Sequence, residues 1–127
     1  MNEDWFITSI NRIEGSANEL HAALDHVVDV LQDAKRQRLA GIALVEITKD
    51  LARRGVREAR LELTRSFREF EHNVTRYRAA TIRALVEEER MTFSAIAEMA
   101  GVSRQMIARL HRSAAVSEGV LGDTEDE

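Results

Sequence analysis

The residues best equipped for chemistry stand close together: Ser103, Arg104, Gln105, Ala108, Arg109 and Arg112, spaced so that a helix over 103–112 carries them along one outward face. A guanidinium presents donors in a planar fork that matches phosphate oxygens or the O6 and N7 edge of guanine, and a glutamine amide both donates and accepts, as adenine requires. No acidic residue lies between Met99 and Ser117, so this face is cationic throughout. The chemistry to expect is recognition of a polyanion. Thr92 and Ser94 stand at the start of a preceding helix, where exposed backbone N–H groups favour anions, and could donate to a phosphate backbone.

Other residues offer less. His21 and His26 are five apart, which splays them on a helix, and neither His72 nor His111 has a carboxylate at ligand spacing; no metal site and no cofactor are expected. His111, between Leu110 and Arg112, is expected to face solvent. Glu87, Glu88 and Glu89 are consecutive and so point in different directions on a helix, which suits a solvated helix end better than a catalytic carboxylate pair. The chain has no glycine-rich phosphate loop, no Gly-x-Ser-x-Gly elbow and no serine with a matching His and Asp set, so it reads as a non-enzyme.

Positioning the 103–112 face requires two short helices and a tight turn. The first is expected from about Phe93 to Met99, capped by Thr92, with Ile96, Ala97 and Ala100 on its buried side. Gly101 would end it with a positive φ that costs glycine no Cβ clash. Val102 would plug the joint, Ser103 would cap the second helix, and Ile107 and Leu110 would face inward. Ala97 is small where two helices crossing at a short turn must approach closely.

Residues 92–112 resemble the helix-turn-helix superfamily of bacterial and phage DNA-binding proteins, matching it at Ile96, Ala97, Ala100, Gly101, Val102, Ile107 and Leu110 over about a sixth of the chain. Residues 100–105, Ala-Gly-Val-Ser-Arg-Gln, are similar to the turn and recognition-helix start of small actinobacterial regulators and of the DNA-binding ends of serine resolvases. The resemblance implies that Ser103, Arg104, Gln105, Ala108, Arg109 and Arg112 meet DNA. Resolvase catalysis does not carry over, because those enzymes hold their serine in a mixed α/β domain and residues 1–78 here read as helices only.

Composition bounds the rest. With no proline, no cysteine and six glycines among 127 residues, the chain lacks punctuation for strands and cannot form disulfides or thiolate metal sites. An all-α fold in a reducing, cytoplasmic setting is the expectation, with no membrane span and no basic-then-apolar leader. The net charge of −4 conceals a partition: residues 1–33 hold seven acids and one Arg, residues 34–86 thirteen bases and six acids, and residues 118–127 five acids.

In chain order, residues 1–15 read as an N-terminal anchor helix with an Asp4 cap and Trp5 docked on the body or on a partner subunit. Residues 16–78 read as a helical dimerisation or partner-binding region. Within it Leu20, Leu24, Val27, Leu31 and Ala34 alternate steps of four and three up to a stop at Gly41, where Lys35, Arg36 and Arg38 complement the helix end. Ile42–Arg54 would be a shorter helix with Ile42, Val45, Ile47 and Leu51 inward. A long helix from Val56 to about Glu89 would carry Leu63, Phe67, Phe70, Val74 and Tyr77 as a second stripe, with surface pairs such as Glu62 with Arg65 and Arg65 with Glu69. At Tyr77–Ile82 the stripe changes phase, so Ile82, Leu85 and Val86 should support the helix-turn-helix of residues 79–115. Residues 116–127 read as an acidic disordered tail.

The resulting expectation is an N-terminal helical hairpin or bundle joined by a long helix to a C-terminal helix-turn-helix. Its partners would be double-stranded DNA and a second copy of the chain in a homodimer. The rival is a helical adaptor or antitoxin-like module whose arginine face binds an acidic protein partner.

Overall fold

The computed structural model describes residues 4–124, with side-chain surroundings as far as Ala114. It is all-α: helices α1 (Trp5–Leu39), α2 (Leu44–Arg53), α3 (Val56–Glu87), α4 (Phe93–Ala100) and α5 (Arg104–Thr124), with no strand among the described residues. None of these helices is long and apolar enough to cross a membrane. Contacts divide the chain into two compact units, residues 11–71 and residues 1–10 with 72–127.

Residues 4–16 correct the sequence reading. Asp4 caps as expected, its carboxylate accepting from the backbone N–H of Phe6 at 2.8 Å and Ile7 at 3.2 Å. Gly15 does not end the helix, however, and α1 runs through it without a break. Gly15 takes no positive φ, and Ser16 does not cap a new helix. Its hydroxyl turns back onto the carbonyls of Arg12 (3.0 Å) and Ile13 (3.1 Å), a helix-compatible bond that leaves the N–H ladder intact.

In the unit of residues 11–71, helices α1 and α3 bury Ser16, Val30, Ala59 and Ser66, while Leu20, Ala23, Val27, Ala34, Leu63 and Phe70 are half-buried. The buried spacing is the four-three alternation expected of helices packing nearly parallel or antiparallel. Its members differ from the expectation at alternate positions. Leu24 (43% exposed), Leu31 (51%) and Phe67 (48%) stay in solvent, and their smaller neighbours Ala23, Val30 and Ser66 take the seam. Small side chains let two helices approach closely; a stripe chosen by hydrophobicity alone lands one residue late.

Helix α2 is tied down by charge. Arg54 reaches both Asp33 (2.8 Å) and Asp50 (3.1 Å), and the Gln37 amide donates to the same two carboxylates at 3.0 and 2.9 Å. Asp33 also accepts from Arg36 at 3.2 Å. The Gln37 hydrogen bond, then the Arg36 bond and the nearby Arg54 charge, hold the Asp33 carboxyl below its ordinary range. Of the four apolar residues expected inward here, Ile47 is buried and Leu51 half-buried, but Ile42 and Val45 are exposed, since one turn of α2 has a single covered side. Gly41 takes φ +86° at the end of α1, where the N–H of Ile42 donates to the Gln37 carbonyl at 3.1 Å, and Arg38 adds a bond to the Ile42 carbonyl. The Glu62–Arg65 surface pair is present.

The second unit has the larger apolar core. Ile82 of α3, Ile96 and Ala97 of α4 and Ile107 of α5 form a buried cluster, and Leu85, Val86, Met91, Phe93, Val102 and Leu110 pack around it. Thus the phase change after Tyr77 does turn the end of α3 toward α4 and α5. At the N-terminus the Phe6 ring lies 5.5 Å from that of Tyr77 and Trp5 stands edge-on to Phe6 at 5.7 Å, both 39% exposed.

Past Arg112 the structure again differs from the expectation. Helix α5 continues to Thr124, so residues 116–124 are helical and only 125–127 of the expected tail lie outside the described residues. Ser113-Ala114-Ala115 supplies no stop, and a glycine within a helix costs about 1 kcal/mol without ending it.

Candidate nucleic-acid interface

Local chemistry fixes the ends of α4 and the start of α5 before packing does. Thr92 is extended (φ −80°, ψ 157°) and its hydroxyl oxygen accepts from the Ala95 N–H at 3.1 Å. Ser103 repeats the device for α5, accepting from the Met106 N–H at 3.1 Å. In both caps the hydroxyl proton is left to donate outward. Between them Gly101 sits at φ +71°, and the Val102 N–H reaches back to the Ala97 carbonyl at 3.1 Å, which turns the chain and places Val102 against the core. The joint before α4 uses a costlier residue: Arg90 adopts φ +60°, with the Met91 N–H donating to the Leu85 carbonyl at 2.9 Å.

The core then sets which face is left over. Ile96 and Ile107, each 1% exposed, lock α4 and α5 to one another and to Ile82. Ala97, at 6%, shows the close approach expected of a small residue. Ala100 does not share that side; the last residue of α4, it is exposed, and Val102 fills the joint in its place.

All the residues picked out for binding lie on the surface. Thr92, Ser94, Ser103, Arg104, Gln105, Arg109 and Arg112 are exposed and Ala108 is half-buried. Among the described residues none of Arg104, Arg109 and Arg112 has an ion-pair partner. The guanidinium of Arg104 stands over the Phe93 ring at 5.8 Å, a cation–π contact that steadies it at the first turn of α5.

Two residues change standing. His111 does not face solvent: its ring lies 5.3 Å from that of Phe93, and its Nε2 is buried with no hydrogen-bond partner among the described residues. The aromatic at position 93, one helix away, draws it in, which sequence spacing within α5 could not show. Arg78 joins the site from α3. It is exposed, and its Nη2 lies 3.9 Å from the Met106 sulfur on α5, so a fourth guanidinium borders the arginine face. The signal for it was its place one turn before Ile82 on the supporting helix.

The arrangement can bind anions and read hydrogen-bond patterns; among the described residues no group of His, Asp or Glu could hold a metal ion. No protein family, curated protein or solved structure matches this chain.

Proposed function

We propose that this chain is a sequence-specific double-stranded DNA-binding protein that regulates transcription, with α4 and α5 as a helix-turn-helix and residues 103–112 as its recognition helix in the major groove. The observation that carries this reading is the exposed, acid-free face of Arg104, Gln105, Arg109 and Arg112 on a helix held rigid by Ile96 and Ile107. Such a helix meets base edges with its N-terminal residues, so Arg104 and Gln105 take the readout role, each bidentate contact discriminating by about 1–3 kcal/mol. Arg109, Arg112 and the hydroxyls of Thr92, Ser94 and Ser103 are placed for phosphates, and Ala108 for apolar contact with a base. A homodimer would present two such helices to half-sites about 34 Å apart or a multiple of it.

Selection from a randomised duplex pool tests this. Recovery of a common sequence, repeated at one helical turn or a multiple, is the expected result. A pool that stays random after several rounds contradicts it, and binding to an acidic protein in place of duplex would establish the interaction-module reading instead.

A further inference from the structure

The exposed face of α5 has two edges, and a different helix borders each. At about 100° per residue, Arg104 and His111 stand within roughly 20° of one another, and both meet Phe93 on the first turn of α4. Met106 stands on the opposite edge, about 160° round from Arg104 and about 60° beyond Arg109. There the neighbour is α3, whose Arg78 holds its Nη2 3.9 Å from the Met106 sulfur.

The core puts Arg78 at that edge. It comes one turn before Ile82, and Ile82 shares a buried cluster with Ile107, the residue after Met106. Arg78 itself is exposed and has no ion-pair partner among the described residues. A thioether is a weak acceptor, so the guanidinium keeps most of its N–H donors for another group. No acidic residue lies between Glu71 and Glu87 on α3, nor between Met99 and Ser117 on α5, so nothing on either helix near this edge opposes an anion.

Dimensions decide what meets the edge. A helix with its side chains is about 10–12 Å across, and a major groove about 12 Å wide. A helix lying in the groove therefore has a different phosphate strand along each of its edges. The start of α4, with the Thr92 hydroxyl, faces the strand on the Arg104 side. We infer that Arg78 binds a backbone phosphate of the other strand, so that two helices hold the duplex from opposite sides of the groove and fix how α5 lies in it. The contact is to a phosphodiester and carries no sequence information. The inference rests on the helix-turn-helix reading and deepens it, adding a strand and a residue from outside 92–112.

Titration of the full chain onto the selected duplex and its scrambled counterpart at several salt concentrations tests it. Arg78→Ala should bind both roughly tenfold more weakly at low salt, with a slope lower by about one unit and sequence preference unchanged. Arg78→Lys, which keeps a point charge for a phosphate, should retain the slope. Single methylphosphonate substitutions walked along both strands then locate the contact, because each removes one phosphate charge. The wild type should lose affinity at positions on both strands, and Arg78→Ala should become insensitive at a position on one strand alone. An Arg78→Ala variant with the slope and phosphate map of the wild type overturns the inference. So does a loss confined to the selected duplex, or a slope that Arg78→Lys does not retain. Those results leave the helix-turn-helix reading standing where Arg104→Ala with Arg109→Ala and Arg112→Ala still abolishes binding, whereas a wild type without salt-sensitive duplex binding ends both.

Discussion

Arg104 and Arg112 occupy opposite ends of one exposed face and should fail differently when removed. Arg104 stands on the first turn of α5, steadied by Phe93, and the proposed function gives it a base to read. Arg104→Ala should weaken binding to the preferred duplex by about 1–3 kcal/mol and flatten preference among sequences; Arg112→Ala should weaken all duplexes alike and lower the salt slope by about one unit. Equal losses on matched and scrambled duplexes for Arg104→Ala would remove its readout role. Backbone strain makes a second pair of residues informative. Gly101 and Arg90 share the left-handed conformation, at φ +71° and +60°, and a Cβ at Gly101 would meet nothing within 4 Å. Gly101→Ala should therefore cost only the backbone term, about 1–2 kcal/mol, whereas Arg90→Gly should leave the protein as stable or more so. Chemical denaturation measures both, and a destabilised Arg90→Gly would show that its side chain matters more than its φ. Residues whose task is local were legible in the sequence: Thr92, Gly101 and Ser103 cap and turn as their chemistry dictates. His111 was not, because its partner Phe93 comes from a different helix.

Among the elements, α1 and α3 show where periodicity falls short. The four-three alternation was readable, but the side of each helix that meets its neighbour depended on how closely the helices approach. Ser16, Ala59 and Ser66 permit a close seam that bulky residues would forbid, and Leu24, Leu31 and Phe67 are displaced outward. Gly15 misled for a related reason: a glycine near an apparent end is a stop only if the backbone turns there, and Gly15 takes no positive φ. Gly15 has open space around a would-be Cβ, so Gly15→Ala should stabilise the protein by about 0.5–1 kcal/mol in denaturant titration; a loss would place a kink at that point. At the junction of α1 and α2, Asp33 gives a pH signature. Its carboxyl is held low by the Gln37 hydrogen bond and the Arg36 and Arg54 charges, so its contribution is full above the ordinary carboxylate range and fades as pH falls through the depressed value. Asp33→Asn should lower stability at neutral pH and make the decline below about pH 4 shallower. A decline parallel to the wild type would dismiss the linkage.

For the whole molecule, charge position matters more than charge total. A net charge of −4 would repel DNA if it were spread evenly, but the acids gather in residues 1–33, 87–98 and 118–127 and leave 99–117 with three arginines and no acid. The all-α class followed from composition, and the supporting role of Ile82, Leu85 and Val86 from the phase change after Tyr77. The extent of α5 beyond Arg112 did not follow, since polar, glycine-containing sequence reads as coil when no stop or start is present to contradict it. The central claim, that the α5 arginines meet the phosphates and bases of duplex DNA, is tested most directly by titrating the full chain onto a selected duplex and its scrambled counterpart at several salt concentrations. Affinity for both should fall with salt at about 0.9 logarithmic units per phosphate contact. The selected duplex should bind tighter at every salt, and Arg104→Ala with Arg109→Ala and Arg112→Ala should abolish both the preference and most of the slope. Salt-independent binding, or a triple variant that binds as the wild type does, would contradict it.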